Sequence, residues 1–148
     1  MIAYVTYNDP PSGIYKSQVV DTVAFYRKHD IAVVLITFVS VRNYRSWKKK
    51  FKALTSDIIV LPSFPGIKHW RKNKRILQFY LNRYKVTTAI GRGLFATDLL
   101  LKCKTDRVVF DARGAYKAEW EEFKFGAAEQ FINQIPKLEE EVLETIKN

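Results

Sequence analysis

Hydrophobic positions along the chain fall into short β-rich runs that alternate with longer stretches of helical period. Ile2–Tyr7 predicts a first strand, followed by the loop Asn8-Asp9-Pro10-Pro11-Ser12-Gly13. Tyr15–His29 predicts a helix, because Val19, Val20, Val23, Ala24 and Tyr26 form an apolar stripe. Ile31–Val39 is continuous, apolar and β-branched, as expected of a strand buried on both faces. Arg42–Ala53 then predicts a basic helix, Asp57–Pro62 a third strand and Lys68–Tyr84 a second basic helix. Val86–Ile90 predicts a fourth strand, Gly91–Lys102 a turn and helix, and Arg107–Asp111 a fifth strand. From about Ala118 to Asn148 the pattern is helical, with a break expected near Gln134–Pro136. Strand starts fall roughly 20–30 residues apart, the length of one βα unit. The expected fold is therefore a Rossmann-like, doubly wound parallel α/β sheet of about five strands, with helices on both faces and a helical C-terminal tail. Residues 1–116 would form the core; residues 117–148 would pack on it or lead into a further domain.

Charge adds a second layer. The 148 residues carry a net charge of +10, spread unevenly. Residues 1–116 hold 21 Lys/Arg and 7 Asp, whereas residues 117–148 hold 4 Lys and 8 Glu. The basic excess gathers in two clusters: Arg42, Arg45, Lys48, Lys49, Lys50 and Lys52, then Lys68, Arg71, Lys72, Lys74 and Arg75. Such a field attracts nucleic acid, anionic headgroups or phosphorylated ligands without choosing among them. Both basic helices carry apolar stripes (Val41, Tyr44, Trp47, Phe51 and Leu54; then Trp70, Leu77, Tyr80, Leu81 and Tyr84). Each stripe suits packing on a sheet or contact with an anionic membrane. The apolar run Ile31–Val41 is too short to span a bilayer, which takes roughly 20 residues. With one cysteine, Cys103, and no basic lead at the N-terminus, the expected location is cytoplasmic, with peripheral attachment to the inner membrane face as an extension.

The candidate chemistry lies at strand ends. Val108-Val109-Phe110-Asp111-Ala112-Arg113-Gly114 runs from an apolar strand into an acid, an arginine and a glycine, where open parallel sheets bind ligands. The same residues also suit a local role, with Asp111 capping a turn and Arg113 pairing with an acid. Gly91-Arg92-Gly93-Leu94-Phe95-Ala96 matches G-x-G-x-x-A, and Asp111 follows Gly91 by 20 residues, so an NAD(P) site is a competing reading. Against it, three βα units precede the motif, whereas the fingerprint normally opens a sheet. In the first loop Pro10 and Pro11 lack N–H groups, which argues against a phosphate cradle; Ser12-Gly13 would let a ligand approach the following helix. Neither His29 nor His69 has a partner at metal-ligand spacing, and Cys103 reads as an apolar filler. No metal site is expected.

The order of these features resembles the N-terminal half of the large group-1 family of retaining, GT-B glycosyltransferases. The matching residues are Ser12-Gly13 and Gln18, the strand Val33–Thr37, the pair Arg92-Gly93, and Asp111-Ala112-Arg113-Gly114 leading to Glu119, Glu121 and Glu122. The resemblance implies an acceptor-binding domain with Ser12, Gly13, Gln18, Arg92, Gly93, Asp111, Arg113 and Gly114 facing acceptor or donor. It implies a separate C-terminal domain holding the nucleotide-sugar donor, no cofactor bound by this domain, and no activity of this chain alone. Many relatives carry a histidine near the fourth strand's end, where this chain has Arg92. A saccharide or lipid-linked acceptor is the expected partner, with Lys48, Lys49, Lys50, Lys72 and Lys74 as membrane or anion contacts. A basic flavodoxin-like interaction module and a nucleic-acid binder are the competing classes; no groove-reading or RNA motif favours the latter.

Overall fold

The computed structural model describes residues 1–65, 67–113 and 134–147. Within them five strands form one parallel sheet: β1 (Ile2–Tyr7), β2 (Val33–Ser40), β3 (Ile58–Ser63), β4 (Thr88–Arg92) and β5 (Arg107–Asp111). Their order is β3-β2-β1-β4-β5, so the chain winds one way from β1 and then crosses back to β4. The described helices are α1, α2, α3, α4 and α5. The first is built of Gly13–Tyr15, a π turn Lys16–Val20 and Asp21–Lys28. The others are Tyr44–Leu54, Lys74–Arg83, Gly93–Leu101 and Gln134–Lys147. This is the Rossmann-like α/β architecture that the spacing of apolar runs predicts.

Strand alternation divides the core into two layers. Ala3, Val5 and Tyr7 of β1, with Val34, Ile36 and Phe38 of β2, face Leu77 and Leu81 of α3, Leu94 of α4 and Ile135 of α5. On the other face Tyr4, Val33, Leu35 and Val39 meet Tyr15, Val19 and Val23 of α1 and Phe51 of α2. Covering both faces is what makes β2 an unbroken apolar run. Fully burying one such Leu or Phe contributes about 1.5–3 kcal/mol. Apart from Val41, which stays exposed, the stripes of both basic helices are spent on this core: Phe51, Trp70, Leu77 and Leu81 are buried, and Tyr44, Trp47, Leu54, Tyr80 and Tyr84 are packed at its margin.

Several boundaries differ from the sequence expectation, and three of them have a clear physical cause. Strands β2 and β4 begin two residues later than the apolar runs Ile31–Val39 and Val86–Ile90. In each case the leading apolar residue closes the preceding helix instead. Ile31 donates its N–H to Tyr26 O at 3.0 Å, and Val86 to Leu81 O at 2.9 Å. Left-handed Asp30 and Lys85 make that closure, a Schellman end built without glycine. The helix expected over Lys68–Tyr84 is a 3-10 segment, Ile67–Asn73, leading into α3. Tertiary bonds hold the tighter turn. Asp98 accepts from Trp70 Nε1 at 2.9 Å and from Arg71 Nε at 2.9 Å. Buried Asn73 donates to Trp70 O at 2.8 Å and accepts from Phe64 N–H at 2.8 Å. Of the expected helical tail, 118–133 and Asn148 lie outside the described residues. Pro136 is the third residue of α5, and the residues that precede Gln134, where the break is expected, lie outside the described ones.

At Gly91 the sheet and α4 touch. A Cβ there would lie 2.5 Å from Thr97 Oγ1 and 2.7 Å from Thr97 Cα. Thr97 Oγ1 lies 2.9 Å from Gly91 O and 2.7 Å from Gly93 O, and Gly93 has a positive φ of 78°. Gly91→Ala must therefore push α4 away from β4. The expected cost is about 1–3 kcal/mol in urea unfolding, the range for overpacked cores; an unchanged midpoint would show that this approach is not tight in solution.

Candidate functional site

The reversal of strand order falls between β1 and β4, and in open α/β sheets the crevice beyond such a reversal is where ligands bind. Sequence dictates what stands there. β1 ends at Tyr7, and Asn8 takes a left-handed φ of 53°, which Asn tolerates, turning the chain so that Asp9 points back over the strand end. β4 ends at Arg92, in register with Thr6 on one side and Asp111 of β5 on the other. Parallel pairing thus brings together Asp9, Arg92 and Asp111, from three separate strand ends.

Their side chains form a charge-balanced ring. Arg92, only 5% exposed, contacts Asp9 Oδ2 through Nε at 3.3 Å and Asp111 Oδ2 through Nη1 at 3.3 Å. The Asp9 contact is off hydrogen-bond alignment, so it holds by charge alone. Arg92 Nη2 donates to Gln18 Oε1. Gln18 sits in the π turn of α1, a type of irregularity that recurs at functional sites. Arg113 Nη1 donates to Asp9 Oδ1, and Tyr4 OH donates to Asp111 Oδ2. Beneath the ring, Thr6 Oγ1 donates to Thr37 Oγ1 at 2.7 Å and lies 3.1 Å from Tyr15 OH, which ties the start of α1 to the sheet.

Electrostatics follows from burial. Desolvation raises Asp9 above the ordinary carboxylate range, outweighing Arg113 and Arg92. Burial raises the Tyr4 hydroxyl, reinforced by its bond to Asp111, so Tyr4 stays a donor. Burial likewise pushes Tyr15 up to about 12. For Arg92 burial works against the charge, but Asp9, Tyr4 and Asp111 more than offset it, and the guanidinium is held charged. Solvent reaches the ring through Asp111 (36% exposed) and Arg113 (34% exposed).

These two residues open onto a trough of about 690 Å³ between α1 and the edge of the sheet. Ile90 and Val109 lie along it on the sheet side; Gln18, Thr22 and Tyr26 line it from α1. Gln18, Arg92, Asp111 and Arg113 are thus brought together. Ser12 accepts from Tyr15 N–H at 3.3 Å as the cap of α1, and Gly13 beside it is exposed with open space around its Cα. Gly93 is buried at the start of α4, and Gly114 lies outside the described residues. Lys48, Lys49, Lys50, Lys72 and Lys74 are all exposed and apart from the ring. The glycines of the G-x-G-x-x-A stretch serve the packing of α4 on β4. Sequence reading missed Asp9 and Tyr4: one looks like a loop residue before Pro-Pro, the other like one more strand aromatic. Only the position of Asp9 after a first parallel strand could have signalled it.

Comparison with known proteins finds no family model that matches the chain and no curated protein that matches its sequence. Among the described residues no three His, Cys, Asp or Glu side chains gather where one metal ion could be held, and no helix is long and apolar enough to cross a membrane. Cys103 is half-buried, and burial pushes its thiol up to about 11, which leaves it protonated at neutral pH.

Two outcomes follow from the ring. Arg92→Ala would leave two carboxylates facing an emptied, buried position; unfolding in urea should show a loss of about 3–5 kcal/mol, the range for stripping one partner from a buried pair. Folding raises the proton affinity of Asp9, so this carboxyl favours the fold fully below the ordinary carboxylate range and progressively less as pH rises through its raised value. Arg113→Ala removes the strongest opposing influence and should raise Asp9 further, read as the midpoint of its carboxyl carbon shift by NMR. Equal midpoints would show that Arg113 does not engage Asp9 in solution.

Proposed function

We propose that this domain is the acceptor-binding half of a GT-B glycosyltransferase, holding a saccharide or lipid-linked sugar at the crevice between β1 and β4. The observation that carries the reading is the Asp9–Arg92–Asp111–Arg113 ring. Its two guanidinium groups are already neutralised by two carboxylates. A cluster so balanced is a weak receptor for a free phosphate, whose capture wants unpaired positive charge. It suits a polyol, whose hydroxyls each donate and accept. Asp111 offers an acceptor and Arg113 a donor at the solvent-reached rim, beside the apolar Ile90 and Val109 and the ring of Tyr26. Apolar surface with a few convergent polar groups is the usual make-up of a small-molecule site.

On this reading Arg92 is a positioning residue: buried, it sets Asp111 through one nitrogen and Gln18 through another. Asp111 accepts from a sugar hydroxyl and Arg113 donates to a neighbouring oxygen. The nucleotide-sugar donor belongs to a second domain facing this crevice, and the corner formed by Ser12 and the exposed Gly13 is where that donor would approach. Negative charge growing on the departing phosphate then needs cationic groups beyond the ring.

Saturation-transfer NMR of this chain with a panel of methyl glycosides tests the proposal. Transfer to ring protons is expected for at least one sugar, with the signal lost in Asp111→Asn and Arg113→Ala while circular dichroism is unchanged. No transfer from any glycoside, or UDP or ADP bound through these same two residues, would overturn it. In the enzyme that carries this domain, Arg113→Ala should raise the acceptor KM roughly tenfold, the loss of one charge-assisted hydrogen bond, and leave the donor KM alone.

A further inference from the structure

Large apolar side chains that stay exposed in this fold are not scattered evenly. Val41 follows β2, Phe64 follows β3, and Ile76 lies on α3; they share one shallow depression with Pro65, Lys72 and Arg75. Val41 is 55% exposed and Phe64 47%. Arg42 joins the same surface through the adjoining cleft with Phe64 and Pro65. Lys72 Nζ stands 4.9 Å over the Phe64 ring. Phe79 is exposed three residues beyond Ile76, on the same outer side of α3. Arg42, Lys72 and Arg75 form no ion pair with a carboxylate among the described residues.

From this arrangement we infer that the Val41–Phe64–Ile76 surface docks on an anionic lipid bilayer, the apolar side chains entering the headgroup boundary and Arg42, Lys72 and Arg75 resting on acidic headgroups. Exposed apolar groups ringed by unpaired cations match an interface that is apolar below and anionic above. Charge opposes a two-fold contact with a second copy of the chain, since the same cations would face each other. Nucleic acid would use the cations and the Phe64 ring, but Val41 and Ile76 have no π face to stack a base. The surface differs from the lysines that sequence alone suggests. Lys48, Lys49 and Lys50 are exposed on α2, a helix with no exposed large apolar side chain among the described residues, whereas Lys72 sits within the apolar group. Val41 and Phe64 leave the carboxyl ends of their strands, the same sheet edge at which Asp9 and Arg92 stand. The inference does not rest on the glycosyltransferase reading.

Vesicle co-sedimentation of this chain tests it, comparing phosphatidylcholine alone with phosphatidylcholine holding about one part in three of phosphatidylglycerol. Binding to the acidic vesicles and not the neutral ones is expected, weakening as salt rises. The double variant Phe64→Ser/Ile76→Ser keeps every charge and should bind roughly tenfold more weakly. Lys72→Ala and Arg75→Ala should each cost roughly fivefold. Lys49→Ala/Lys50→Ala, the control on α2, should cost little. All these side chains are exposed, and circular dichroism checks that each variant folds. Equal binding to neutral vesicles, an apolar variant that binds like the parent, or a stronger loss from the α2 control would overturn the inference. So would an absence of vesicle binding beside RNA binding that depends on Phe64 and Lys72, which would assign the surface to nucleic acid.

Discussion

A buried guanidinium organises this molecule. Arg92 stands at the end of β4 with almost no solvent, where an unpaired charge would cost several kcal/mol. Its partners come from separate parts of the chain: Asp9 beyond β1, Asp111 at the end of β5 and Gln18 in α1. None of them is near Arg92 in sequence, and each arrives only if the strands pair in parallel with the observed register. The polar site and the sheet order are therefore one requirement. A slipped strand would strand the charge, which ties the polar groups of the ring to the correctness of the fold.

The same parallel order gives the molecule a chemically distinct edge. Every strand ends on one side, so the loops after β1, β2 and β3, the Arg92 ring and the Asp111–Arg113 segment share it. On one stretch the charges cancel pairwise and hydrogen-bonding groups remain open; on another, cations stand unpaired among apolar side chains. The two stretches offer different chemistry although both contain arginine. What separates them is whether a carboxylate has been folded into reach. A balanced ring favours a neutral, hydroxyl-rich ligand, and an unbalanced surface favours an anionic one.

Buried polar contacts elsewhere keep this edge in place. Asp98 binds Trp70 and Arg71, which fixes the segment before α3 against α4. Asn73 joins that segment to the loop after β3 and to Tyr7 OH at 3.3 Å. Thr6, Thr37 and Tyr15 do the same for α1 under the ring. Satisfied polar groups in a low-dielectric interior specify one arrangement, because leaving any of them unpaired is costly.

The amino-acid sequence by itself determined the layered α/β plan, since two-sided burial demands unbroken apolar strands and one-sided burial demands amphipathic helices, and both periods are visible in a linear string. It also marked Arg92, Asp111 and Arg113, because a strand end in a parallel sheet is a known place for a ligand. It misplaced the starts of β2 and β4, where Ile31 and Val86 look like strand residues but serve as helix closures, a difference of backbone φ that hydrophobicity does not encode. Tertiary structure alone decided that Asp9 completes the ring, that both arginines are neutralised, and that Lys72 rather than Lys48–Lys50 stands among exposed apolar groups. Those facts concern distances between residues far apart in the chain. Pairing and desolvation depend on distance and burial, and a sequence states neither until the chain has folded.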